Sequence, residues 1–219
     1  MVFACVCGPA ARALEVGAGE VRVSLAGPKG FCPSEKKIPA DKEMLTANQD
    51  LLKGTSDLLG IFVLCDRLTA WRAGKVDTLG DSAQYQISLK NKGQQYSAEK
   101  TIPAICAEAR KNGGAMIKSA EAEINKRYES VKATAGSLKV NDQKFYGVLH
   151  EDKTGCYHGI VQKLDIDDKV TTMFIVQAFI VVKGKMLFFN YGNDLEGPAT
   201  VQRVLDTSRA TVAATLAQN

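Results

Sequence analysis

Over residues 20–25, Val21, Val23 and Leu25 alternate with Glu20, Arg22 and Ser24, the period of a half-buried strand. The turn-rich Gly27-Pro28-Lys29-Gly30 leads from it to Phe31-Cys32-Pro33. At residues 41–53 the spacing becomes helical, with Met44, Leu45, Asn48, Leu51 and Leu52 on one side, Asp41 as cap and Gly54 as stop. An unbroken apolar run at 58–65 predicts a buried strand. Residues 66–73, which hold the only tryptophan, Trp71, predict a short helical segment closed by Gly74, and 83–89 a further strand.

The central third reads as helical. Pro103 fits the first turn of a helix reaching Lys111, where its missing N–H would be unpaired anyway, and Gly113-Gly114 ends it. A second helix over 115–132 gathers Ile117, Ala120, Ile124, Tyr128 and Val131 into one stripe. Residues 133–144 read as a polar connector.

In the last third, 145–152 and 156–164 flank Asp152-Lys153-Thr154-Gly155, the composition of a type I turn finished by a glycine bulge, and predict a hairpin. Residues 170–182 and 185–191 flank Lys183-Gly184 and predict another. The run 173–182 hardly alternates, so it reads as a central strand covered on both faces. Gly197-Pro198 opens a closing helix with Val201, Val204, Leu205, Ser208, Val212 and Leu216 on one face. Together these elements predict an α+β fold, a mostly antiparallel sheet with helices on both faces, as a three-layer α/β/α sandwich.

That element order, over residues 21–216, resembles the PsbP-like fold of extrinsic photosystem proteins. The stretches Gly30-Phe31-Cys32-Pro33, Trp71-Arg72-Ala73-Gly74 and Val182-Lys183-Gly184-Lys185, with Tyr191 and Gly197-Pro198-Ala199-Thr200, also resemble a group of small exported bacterial proteins without an assigned activity. The resemblance implies a fold and an address, and no catalytic residue.

The N-terminal stretch points to the same address. Residues 1–13 read as the tail of an export signal: a short apolar stretch, a Gly8-Pro9 break and the small-x-small Ala11-Arg12-Ala13 that a signal peptidase accepts. Residues 20–219 then form a single domain, periplasmic or secreted. Cys5 and Cys7 fall within the signal, which leaves Cys32, Cys65, Cys106 and Cys156, widely spaced and without a C-x-x-C pair. Such spacing suits loop-closing disulfides better than a zinc ribbon. Of the three pairings, Cys32 with Cys65 and Cys106 with Cys156 joins sequential neighbours; four reduced, buried cysteines are the alternative. The longest apolar run, 173–182, falls short of the ~20 residues of a membrane helix.

Net charge is +4, and its placement matters more than its size. Residues 90–144 carry eleven Lys/Arg against six Asp/Glu, so the basic excess lies in the middle third. Lys118, Lys126, Arg127 and Lys132 are the candidate surface for an anionic partner or an unknown protein; the alternative is a solvated helical face on which acids interleave with bases. No basic run with aromatic stacking partners is present, which argues against nucleic acid.

Catalytic spacing is thin. Gly54-x-Ser56 lacks the closing glycine of a nucleophile elbow, Gly17-x-Gly19 the third glycine of a dinucleotide loop, and Gly184-Lys185 the Ser or Thr of a phosphate loop. One constellation is sharper. With a three-residue loop and Gly155 in the bulge, Asp152 pairs with Cys156, and His150 stands opposite His158. The only two histidines would then form a zinc or copper site beside Asp152. Two function classes therefore stand open: a non-enzymatic exported binding or accessory protein without a cofactor, and a metal-binding protein using that histidine pair.

Overall fold

The computed structural model describes the backbone of residues 13–135, 138–166 and 169–219, and side chains within these outside 128–139 and 166–169. The export segment at 1–13, apart from Ala13, lies outside the described residues. Leu14–Ala18 (β1) and Val21–Leu25 (β2) form a hairpin of their own, turned at Gly19 with φ +67°. Then come Phe31–Pro33 (β3), Pro39–Leu52 (α1), Ser56–Leu64 (β4), Cys65–Arg72 (α2) and Ser82–Ser88 (β5). Ala98–Ala135 (α3) precedes four long strands, Leu138–Asp152 (β6), Gly155–Ile166 (β7), Lys169–Val182 (β8) and Lys185–Asp194 (β9), and Pro198–Ala217 (α4) closes the chain.

All pairings in the seven-stranded sheet, β3-β4-β5-β9-β8-β7-β6, are antiparallel. The side-chain period of two sorts β8 between two cores. Phe174, Val176, Ala178, Ile180 and Val182 join Ala83, Tyr85, Leu187 and Phe189 beneath Val204 and Val212 of α4 and Val23 and Leu25 of the first hairpin. Phe179 and Val181 point the other way, to Ile102 and Cys106 of α3; further along that face Ile61 and Val63 meet Leu45 of α1. The chain is thus a three-layer α+β sandwich, with β8 covered on both faces. At the β8–β9 turn, Lys183 (φ +46°) and Gly184 (φ +77°) supply the two positive φ angles of a type I′ connection.

Four local readings are corrected. The two central helices are one, α3, of 38 residues. Gly113 does not stop it, because Phe145 of β6 packs where a Cβ would stand, so the missing side chain is used for close approach. Pro103 lies in the helix interior, where buried Ile102 and Cys106 anchor the turn despite the lost hydrogen bond. Much of the expected connector at 133–144 is strand, since β6 begins at Leu138. Asp41 does not cap α1: it is fully buried within the helix, and its carboxylate accepts from the Glu35 N–H (2.7 Å) and from the Arg72 guanidinium of α2 (2.5 and 2.9 Å).

The outer edge of β6 is closed by α3. Val140 N–H donates to Asn125 Oδ1 (3.1 Å), Asn125 Nδ2 donates back to the Val140 carbonyl (2.8 Å), and Gln143 N–H donates to Glu121 (2.9 Å). Helix side chains thus take the place of a further strand.

Candidate functional site

The β6–β7 turn carries the residues of the metal reading, and there the register differs from expectation. Asp152 pairs with Gly155 across a two-residue connection, Lys153-Thr154, and a shift between Val148 and His150 moves the pairing again. His150 faces Tyr157 and His158 faces Val148. The cause is local: Asp152 Oδ1 accepts from the N–H groups of Thr154 (2.7 Å) and Gly155 (3.1 Å) and from the Thr154 hydroxyl, so the aspartate tightens its own turn.

The two histidines consequently lie on opposite faces of the sheet, and no cross-strand metal pair forms. His150 lies 2.9 Å from Asp152 and packs on Tyr157 towards the α4 side, where Arg209 stands 4.0 Å from Asp152. Burial pushes the Asp152 pKa up, but the hydrogen bonds from Thr154, His150 and Gly155 outweigh it, and the net shift is downward. His158 is buried on the α3 side between the Phe145 and Phe179 rings, with Nε2 3.1 Å from Cys156 Sγ. Burial, with the Arg110 charge behind it, lowers the His158 pKa to about 4.

Among the described residues, Cys106, Cys156 and His158 bring three ligand atoms within 4.8 Å of one another. Both sulfurs are, however, bonded to each other: Cys106 is joined to Cys156, and Cys32 to Cys65. A thiolate is what a soft metal needs. His158 is left there as the single ligand.

On α3, Lys118 and Lys126 are exposed, while Arg127 turns inward. Its guanidinium donates to Glu123 (3.0 Å), to the Leu51 carbonyl (3.1 Å) and to Thr55 Oγ1 (2.9 Å), bracing α3 against the end of α1. The Lys132 side chain lies outside the described residues. The basic middle third therefore contributes a shorter solvent-facing stripe than its composition suggests.

A cleft that sequence reasoning passed over lies between the first hairpin, the loop after β3, the outer face of α1 and β4. It has a volume of about 840 Å³. Leu14, Val16, Leu45, Leu58 and Leu59 give it an apolar lining, and Arg22, Lys36, Lys37 and Lys42 a cationic rim. Leu14 reaches in because Gly60 has no side chain in its way. The acids on the rim are Glu15, Glu35 and Asp50; Glu35 is held by Lys37 at 2.6 Å. Ser34 also lines the cleft, only 3% exposed, and its hydroxyl has no hydrogen-bond partner among the described residues. Its N–H donates to the Ile61 carbonyl (2.8 Å), which fixes the backbone at that position. The alternating Leu14 and Val16 were the available sequence signal, hidden by the cleavage pattern just before them.

No family model matches this chain, and no curated protein is similar to it. Among solved structures, it is similar to the solution structure of cyanobacterial PsbP (CyanoP) from Synechocystis sp. PCC 6803, with a TM-score of 0.40 and 12% identity over 97% of this chain and 95% of that one. A likeness of that degree leaves function to be read from this chain's own residues.

Proposed function

We propose that this protein is a non-enzymatic binding or accessory protein of an oxidising, extracytoplasmic compartment, periplasmic or secreted, and that its ligand sits in the cleft between the first hairpin and α1. The cleft carries the reading. Its volume of about 840 Å³ lies within the ~300–1,000 Å³ usual for small-molecule sites, and it combines apolar walls with a few polar groups. Its buried hydroxyl, Ser34, has no hydrogen-bonded base among the described residues, which supports binding over nucleophilic chemistry there. The compartment is supported by the two disulfides, which join residues 33 and 50 positions apart. No helix among the described residues is long and apolar enough to cross a membrane.

Native mass spectrometry of the chain from its own host tests both halves of this reading. The expected spectrum shows a bound small molecule, lost in Thr46→Trp, which places a ring at an exposed cleft-lining position of α1. Reduction of the denatured chain is expected to add the mass of four protons. A ligand-free chain from the host, or four free thiols, would overturn the respective half.

A further inference from the structure

Resting on the binding reading, we infer that the cleft takes a single-chain amphiphile with an anionic head, its alkyl chain along Leu14, Val16, Leu45, Leu58 and Leu59 and its head at Ser34 and the neighbouring lysines. Two independent observations place the head. The first is Ser34: a buried donor without a partner among the described residues is rare in a folded protein, and a ligand acceptor would satisfy it. The second is the polarity of the cleft. Lys36, Lys37 and Lys42 gather on the loop after β3 and the first turn of α1, where Glu35 is the one lining acid and is paired with Lys37, so Lys36 and Lys42 leave a net positive charge; Asp50 stands two turns further, about 12 Å along the helix axis. An anion is therefore favoured at the Ser34 end.

The chemistry also separates candidates. A neutral alkyl chain would fill the apolar part but leave Ser34 and the lysines as they are. A cationic head would meet Lys36 and Lys42. A carboxylate satisfies both, and its bonds to the hydroxyl and the ammonium groups would be charge-assisted.

Amide chemical shifts of the full-length chain report the site directly, with decanoate, decan-1-ol and decyltrimethylammonium titrated as monomers. Decanoate is expected to saturate shifts at residues 14–17, 34–37 and 45–49, and to bind at least about tenfold more tightly than the other two, as loss of hydrogen bonds to a charged group implies. Raising salt from about 0.02 M to about 0.5 M is expected to weaken it. Ser34→Ala is expected to lower decanoate affinity about tenfold while the ligand-free protein melts no lower, since an unsatisfied hydroxyl has been removed. Equal binding of all three amphiphiles, or unchanged affinity in Ser34→Ala, would overturn the head-group assignment and leave the binding reading standing. Sedimentation with phosphatidylglycerol vesicles without any cleft response to decanoate would replace a monomeric ligand by a bilayer surface. An empty cleft in host-derived protein together with no response to any of the three would sink the binding reading itself.

Discussion

Asp41 illustrates how one buried charge sets a pH limit. Burial pushes its pKa up, but Arg72 and the Glu35 N–H outweigh that and hold it below the ordinary aspartate value. Its contribution to stability is then complete above the unfolded value of about 3.9 and is lost as pH falls through the lowered folded value. Arg72→Ala leaves the buried carboxylate without its counter-charge and with only the Glu35 N–H, and breaking such a pair costs about 3–5 kcal/mol, so denaturant midpoints at neutral pH should drop sharply. His158 acts at higher pH. Its folded pKa of about 4 lies below the unfolded ~6.5, so stability is complete above ~6.5 and is lost as pH falls towards 4. The loss is on the order of 3 kcal/mol. Replacing His158 with Phe should flatten the melting temperature between pH 7 and 5; an unchanged slope would assign the acid sensitivity elsewhere. Neither role was legible in the sequence. A cap is recognised from neighbours, whereas Arg72 lies 31 positions from Asp41, and the face on which a histidine falls depends on a one-residue register.

At the level of elements, the periods of two and 3.6 were legible wherever a segment packs by its own pattern. The β8–β9 hairpin and α4 are examples, and Lys183-Gly184 carries the turn chemistry in two residues. The errors fall where another element overrides local preference. Gly113-Gly114 reads as a break because helix propensity is a local property, yet Phe145 makes the first glycine a packing site. The two glycines should respond oppositely. Gly114→Ala has open space and should stabilise by about 1 kcal/mol, while Gly113→Ala drives a methyl into the Phe145 ring and should destabilise by about 1–3 kcal/mol. Thermal melts of the two variants, compared with wild type, check the sign of each. Asn125→Ala removes both hydrogen bonds to Val140, so hydrogen exchange at the Val140 amide should quicken selectively.

Across the whole molecule, the sequence order of the hairpins and the long apolar run were enough to indicate three layers, because a strand buried on both faces requires cover on both. The cleft was not legible, since it joins Leu14, Leu45 and Leu58 of three elements to Ser34 of a loop, which only the fold brings together. The Cys106–Cys156 bridge ties α3 to β7, and its loop of about 50 residues corresponds to about 4 kcal/mol of chain entropy in the loop-closure estimate. Replacing both cysteines with alanine should lower the urea midpoint accordingly, and a drop well below that size would indicate that the apolar packing of Ile102, Val181 and Phe179 already fixes α3. The two bridges also follow one another along the chain without interleaving. In a polypeptide threaded N-terminus first through a translocation pore, and relieved of Cys5 and Cys7 with its export segment, each of these four half-cystines would meet its correct mate before a wrong one emerged. Oxidation in order of emergence would then yield native connectivity, with no isomerase needed to reshuffle it.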